Sequence, residues 1–249
     1  MADALSVPRN RALALGAGIL CHLSFLAAVG AMAAGILTGL RIGRGPFTGA
    51  SAWIANALLI VQFPLVHSWL LSRPGTRLLA ALGPRGTGRI LATTTFATIS
   101  SLQILAVVLG WSPTSLSSWQ PHGFLYAASC AAYAASWLFL FQSMLDANIF
   151  IQSGALGWLA LFRGRVPDYG SMPERGTFRL CRQPIYFAFA LVLWTAPVWT
   201  WDRFALATAW SVYCVAGPLL KEARFLRIHG DRFREYRRRH PYFLPLGPR

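Results

Sequence analysis

Arg182, Gln183, Pro184 and Tyr186 open one long apolar stretch, and Lys221 and Glu222 close it. A proline in the first turn of a helix removes no hydrogen bond, because the N–H at that position has no partner within the helix. The free N–H groups that follow, with Arg182 beside them, form a seat for a carboxylate or phosphate. Glu222 can accept hydrogen bonds from hydroxyls or from an ammonium group. Positive donors at one point and an acid at another make a site for a zwitterion. A plainer arrangement is equally open at this level: Arg182 marks the edge of a membrane, and Glu222 pairs with Arg224 or Arg227.

The tail after Glu222 is ordered rather than merely basic. Phe225, Leu226, His229, Gly230, Phe233, Tyr236, Arg237, Pro241 and Pro245 follow at set intervals among many arginines. A membrane anchor needs only a basic patch, so the tail is expected to supply half of a cofactor site at the membrane surface. Further polar groups fall within apolar blocks: Gln62, His67, Gln103, Gln142, Asp146 and Asn148. Such groups are costly at membrane depth. Hydrogen bonding between helices accounts for the glutamines, and capping of a helix end accounts for Asp146 with Asn148. His67 precedes Ser68 and the turn Ser72-Arg73-Pro74-Gly75, which puts an imidazole within two turns of the interface, where it can face a polar pocket.

The elements that must position these residues are membrane helices. The chain of 249 residues is 55% apolar and only 12% charged, which excludes an ordinary soluble domain. A span needs roughly 20 apolar residues. Residues 13–40, 52–71, 90–111 and 123–145 each satisfy that, and residues 184–220 are too long for one span. The run Trp199-Thr200-Trp201-Asp202-Arg203 splits the last block into two short helices, Pro184–Thr200 and Phe204–Leu220. The expectation is an all-α integral membrane protein with about six transmembrane helices, the last two a short hairpin, plus a cytoplasmic cofactor-binding loop and a C-terminal helix. It forms a single membrane domain over 1–249, with a four-helix part (1–150) and a part holding loop, hairpin and basic tail (151–249). The first helix carries Gly16, Gly18, Gly30, Gly35 and Gly39, which permit close helix contact. Residues 73–89 read as a Gly/Pro/Arg-rich loop, Gly154–Phe162 as a helix continuation, and Glu222–Tyr236 as a tail helix. No internal repeat is evident.

The net charge of +15 is first a topology signal. Arg9 and Arg11 precede the first block; Arg73, Arg77, Arg85 and Arg89 follow the second; Arg163, Arg165, Arg175, Arg179 and Arg182 follow the fourth. The alternate loops hold only Arg41, Arg44 and Arg203. Six helices with both termini in the cytoplasm satisfy the positive-inside rule, and nucleic-acid binding is not expected. The first apolar block is too long for a cleavable signal. Cys21, Cys130, Cys181 and Cys214 have no disulfide or zinc spacing, so no metal is expected. One lysine against 22 arginines points to a GC-rich bacterial genome and a bacterial inner membrane.

The pattern Arg182-x-Pro184-x-Tyr186, then Glu222-x-x-Phe225-Leu226, His229-Gly230, Phe233, Tyr236, Pro241 and Pro245, resembles the isoprenylcysteine carboxyl methyltransferase superfamily. Phospholipid methyltransferases are similar in this part. The resemblance to bacterial methanethiol S-methyltransferases extends to His67-Ser68, to residues 72–75 and to residues 146–152, and so covers about residues 60 to 246. It implies a membrane enzyme that binds S-adenosyl-L-methionine on its cytoplasmic face through Arg182, Gln183, Pro184, Tyr186, Glu222, Tyr236, Arg237 and Pro241. Gln183 stands where the family usually has histidine; it can donate and accept a hydrogen bond but cannot titrate. Lys221 stands where many relatives have a second acid.

Methyl transfer from a sulfonium is an in-line displacement that depends on alignment and exclusion of water. A thiol acceptor would be favoured as its thiolate by a cationic wall, for which His67, Arg73 and Arg224 are the candidates. The resemblance thus implies a methyltransferase acting on a small thiol or another small hydrophobic or lipidic acceptor that enters from the bilayer. The alternatives are an acceptor carboxylate on a prenylated cysteine, a phospholipid amine, an NADPH-dependent membrane reductase, and a non-enzymatic accessory membrane protein.

Overall fold

The computed structural model describes residues 6–84, 86–114 and 117–244, with the backbone alone for residues 6–9. Arg85, the side chain of Arg9, and Pro245 at the end of the tail pattern therefore lie outside the described residues. The described residues form nine α-helices and one 3-10 turn, and five of the helices are long and apolar enough to cross a membrane. These five are α1 (Ser6–Leu37), α2 (Gly49–Leu70), α4 (Gly88–Leu109), α5 (Gly123–Asp146) and α9 (Trp201–Arg239). The others are α3 (Arg73–Leu82), α6 (Ile149–Gln152), α7 (Ala155–Phe162) and α8 (Pro184–Thr195).

A hydrocarbon environment leaves backbone polar groups no partner except each other, which makes the charge-free blocks helical. Their outer faces keep large apolar residues exposed, among them Leu23, Leu58, Leu138 and Val212. One shared core joins the inner faces: Met32 and Ile36 of α1, Val107 and Val108 of α4, Tyr133 of α5, Val192 of α8, and Leu206 and Trp210 of α9. Helix α4 packs against α1 and α2, α9 against α2 and α8, and α8 against α5.

The expected sixth span, Pro184–Thr200, is shorter than its apolar sequence implied. Helix α8 has 12 residues, about 18 Å at ~1.5 Å per residue, against a hydrocarbon core about 30 Å thick. It stops at Thr195, and residues 196–200 run extended. Arg203, 1% exposed, holds this end: its guanidinium donates to the carbonyls of Leu193, Ala196 and Val198. Trp199 pairs with Trp119 through two backbone hydrogen bonds, and the Thr200 hydroxyl donates to the carbonyl of Gly39 at 2.8 Å. The α8–α9 turn therefore meets the α1–α2 and α4–α5 connections at one end of the bundle. The α2–α3–α4 connection, residues 147–183 and the tail gather at the other end.

Three more local readings differ. Residues 73–89 are not wholly a loop: Ser72 caps α3 by accepting from Gly75 N at 3.3 Å, with a proline in the first turn. Residues 154–162 do not continue α5. Asn148, at φ +71°, turns the chain, and α7 packs against α1 and α4. There Thr94 Oγ1 donates to Gly154 O and accepts from Trp158 N. The tail is helical but not in one piece from Glu222. The last span continues through Glu222 to His229, the helix breaks at Gly230 (φ 53°, ψ −125°), and a second helical segment runs on to Arg239. The break has backbone angles that glycine adopts most readily.

Candidate functional site

The site is built where α8 begins and α9 leaves the bundle. Asp146, at the end of α5, accepts from Thr177 N at 2.7 Å and from Gln142 Nε2 at 3.0 Å. It thereby fixes the 3-10 turn Gly176–Arg179. Gly176 has φ +60° and lies so close to the Asp146 carboxylate that a Cβ would collide with it. From the other side the tail grips the same turn: Tyr236 donates its hydroxyl proton to Phe178 O at 2.7 Å. Arg182 N donates to Pro241 O at 2.9 Å, and Arg182 Nη1 to Arg237 O at 2.9 Å. Loop, helix start and tail are interlocked by backbone contacts far apart in sequence.

Inside this frame four side chains meet. Arg182 Nε stands 3.0 Å from Glu222 Oε1, with both side chains largely buried. The Nε–H has no hydrogen-bond acceptor among the described residues, so the contact is an ion pair rather than a hydrogen bond. Gln183, 2% exposed, donates from Nε2 to Glu222 Oε1 at 2.9 Å. Its Oε1 accepts from Lys221 Nζ at 3.3 Å. Glu222 thus pairs with Arg182, not with Arg224 or Arg227. Burial pulls the Arg182 guanidinium below its usual range, and the Glu222 carboxylate opposes that pull. Burial likewise pushes the Cys181 thiol up.

Aromatic rings complete the enclosure. Lys221 Nζ lies 5.6 Å from the Phe178 ring centre, 6.0 Å from Tyr186 and 5.4 Å from Phe225, cation–π distances. Arg182 lies 5.4 Å from the Tyr242 ring. Phe233 and Tyr236 pack with Met172 into a small cluster under the tail. Met172, Phe178, Phe225, Phe233 and Tyr236 join Arg182, Gln183, Lys221 and Glu222 around a cavity of about 10 Å³, roughly the room one water needs.

A second polar group lies between α2, α4 and α9. His67 Nδ1 is 3.1 Å from Ser100 Oγ, and its ring packs on Phe63 and Phe96. Ser68 Oγ donates to Tyr213 Oη at 3.4 Å. The Tyr213 ring lies 6.3 Å from Tyr186, which links this group to the cavity wall. Arg224 Nη1 donates to Leu71 O at 3.3 Å, tying α9 to the end of α2. Gln103 Nε2 donates to Gln62 Oε1 at 2.7 Å across α2 and α4.

Of the residues singled out from sequence, Arg182, Gln183, Glu222 and Tyr236 line the cavity, Pro184 opens α8, and Tyr186 faces Lys221. The Arg73 and Arg237 side chains are exposed, and Arg237 meets the cluster through its carbonyl. His67 and Arg224 belong to the second group. Met172 and Phe178 escaped the sequence reading, which had Tyr236 as a site residue and Phe225 and Phe233 only as members of the tail pattern. Phe225, Phe233 and Tyr236 recur near helical spacing, a signal that was present; Met172 and Phe178 sit in irregular backbone and carry none.

The fold and site define a multi-pass helical membrane protein with a buried Arg–Glu–Gln–Lys cluster at one end of its bundle. The chain is a distant, near-full-length homologue of methanethiol S-methyltransferases. It is 24% identical over 234 residues to methanethiol S-methyltransferase 1 of Bradyrhizobium diazoefficiens, covering 92% of this chain and 80% of that one. It is 22% identical over 243 residues to the methanethiol S-methyltransferase of Crocosphaera subtropica, covering 95% and 93%. The Pseudomonas deceptionensis enzyme of that name is 24% identical over 208 residues, covering 82% and 77%. No protein-family profile and no solved structure matches the chain.

Proposed function

We propose that the protein is a membrane-embedded methyltransferase that takes its methyl group from S-adenosyl-L-methionine and gives it to a small thiol such as methanethiol. The observation that carries this reading is the buried Arg182–Glu222–Gln183 cluster over an aromatic cavity, in a chain homologous along most of its length to enzymes of that activity. When bound, the cofactor supplies an electrophilic methyl group on a sulfonium.

The donor set suits such a ligand. Glu222 is an acid for ribose hydroxyls or an ammonium group, the Arg182 Nε–H lacks an acceptor, and Phe178, Phe225, Phe233 and Tyr236 offer apolar faces to a base. The cavity of about 10 Å³ is far smaller than the roughly 300 Å³ at which ligand pockets begin, so binding requires its walls to part. Met172 of the loop and Phe233 and Tyr236 of the tail pack together as one of its walls. Closed again, they exclude water and hold the acceptor in line with the methyl group.

The acceptor approaches from the side of α2 and α9, where His67, Ser68, Tyr213 and Arg224 lead toward the cavity. Arg73 and Arg237 take exposed, peripheral positions. We place the site and both termini on the cytoplasmic side of a bacterial inner membrane, with the arginine-rich loops, and count α8 with its extended turn as a sixth crossing. The chain acts as a single membrane domain, residues 151–249 supplying most of the cofactor site and residues 1–150 the bundle against which it is built. The test is direct: purified protein given S-adenosyl-L-methionine and methanethiol should release dimethyl sulfide. Absence of product with methanethiol and with longer alkanethiols would contradict the reading.

A further inference from the structure

Lys221 is the only lysine in the chain, and it sits at the junction of the cavity and the second polar group. Three aromatic rings surround its ammonium group. Its hydrogen bond goes to a neutral amide oxygen, that of Gln183. The one carboxylate at the cluster, Glu222, is engaged by Arg182 and by Gln183. The charged groups acting on Lys221 are Arg224 and Glu222 from α9, with Arg182 in the same cavity lining; the titratable neutral ones are Cys181 and Tyr186, with Tyr236 in that lining. One carboxylate against Arg182, Lys221 and Arg224 leaves an excess of positive charge in a partly desolvated space. Such a space favours an anion.

The two ends of the cluster face differently. Arg182 is tied to the tail through Arg237 O and Pro241 O and lies over Tyr242. Lys221 instead faces Tyr186, whose neighbour Tyr213 bonds to Ser68 of α2. The cation toward the tail suits a donor carboxylate, and the cation toward α2 suits the incoming acceptor.

Resting on the methyltransferase reading, we propose that Lys221 is a catalytic residue that holds the acceptor sulfur as its thiolate against the methyl donor. The thiol proton leaves to water. The sulfur lone pair then attacks the methyl carbon, a new S–C bond forms, the C–S bond of the sulfonium donor breaks, and its electron pair stays on the departing thioether. The acceptor class is therefore an ionisable thiol or hydrosulfide, and an amine, cationic before reaction, is repelled.

The test is the pH dependence of kcat/KM for methanethiol, measured on the full-length protein in detergent for wild type, K221Q and K221R. Binding of S-adenosylhomocysteine is measured in parallel. K221Q should lower kcat/KM at neutral pH by at least about tenfold and regain activity as alkaline pH ionises the thiol in solution. K221R should keep most of the activity, and both variants should bind S-adenosylhomocysteine within a few-fold of wild type. An unshifted pH profile in K221Q, or loss of S-adenosylhomocysteine binding in both variants, would overturn the assignment, the latter by moving Lys221 to the donor. A wild-type protein that binds the donor product yet methylates no thiol would overturn the methyltransferase reading itself, and this inference with it.

Discussion

Gln183 and Glu222 stand 39 positions apart, and their buried side chains meet at 2.9 Å between α8 and α9 at the end opposite their connecting turn. The amide donates to the acid from one end and accepts from Lys221 at the other. It links a cation to a carboxylate without carrying charge, whatever the pH. Gln183 is therefore a structural member of the cluster.

Gln183→Leu removes both bonds and leaves buried polar partners unmet, which costs about 1–3 kcal/mol. Thermal unfolding in detergent should show a clearly lowered Tm. Gln183→His keeps one donor and one acceptor and should hold cofactor affinity within several-fold. A leucine variant that melts like wild type would contradict the bridging role.

Glu222→Ala strips the one acid that the described residues place beside Arg182 and Lys221. Breaking a buried ion pair from one side costs about 3–5 kcal/mol, here at the lower end because the pair reaches the protein edge. Calorimetry should find S-adenosylhomocysteine affinity reduced by at least about 100-fold, equivalent to ~2.7 kcal/mol. A variant that stays folded and binds normally would remove Glu222 from the site.

Gly176→Ala brings a Cβ against the Asp146 carboxylate at a positive φ. The variant should be destabilised by more than about 1 kcal/mol and should lose cofactor affinity, because the displaced turn carries Phe178 and leads into Arg182. Comparing its melting curve with that of Asp146→Asn separates the clash from the loss of charge.

Arg203→Lys is not conservative here, since the guanidinium serves three carbonyls at once. The loss should be about 2–4 kcal/mol of stability, read from unfolding. Equal stability of the lysine variant would show that the end of α8 is held by other contacts.

Cys181 is fully buried, and burial keeps its thiol protonated above the usual range. Alkylation requires the thiolate, so Cys181 should resist iodoacetamide at pH 8 in the folded protein and react after denaturation. Peptide mapping by mass spectrometry checks this. Rapid labelling of the folded protein would show that the turn opens readily.

The long spans were legible because charge-free runs of 20 residues or more have few alternatives. The shortness of α8 was missed. Pro197 was the local signal passed over, since the residue before a proline is pushed out of the helical region and Ala196 is extended there. Arg203, Trp119 and Gly39 then hold the segment. Helix α3 was hidden by its glycine and proline, although Ser72 and Pro74 are themselves helix-start signals. Sequence set Arg182 and Glu222 in one candidate site, but their direct pairing depends on how α8 meets α9, which no local pattern encodes.

The central claim is that the Arg182–Glu222 cavity receives S-adenosyl-L-methionine, and calorimetric titration of the detergent-purified protein tests it most directly, with NADPH as the comparison. Micromolar binding of S-adenosyl-L-methionine and S-adenosylhomocysteine, with no heat from NADPH, is the predicted result. Binding of NADPH alone would contradict the account and put a membrane reductase in its place, and binding of none of the three would point to a non-enzymatic membrane protein.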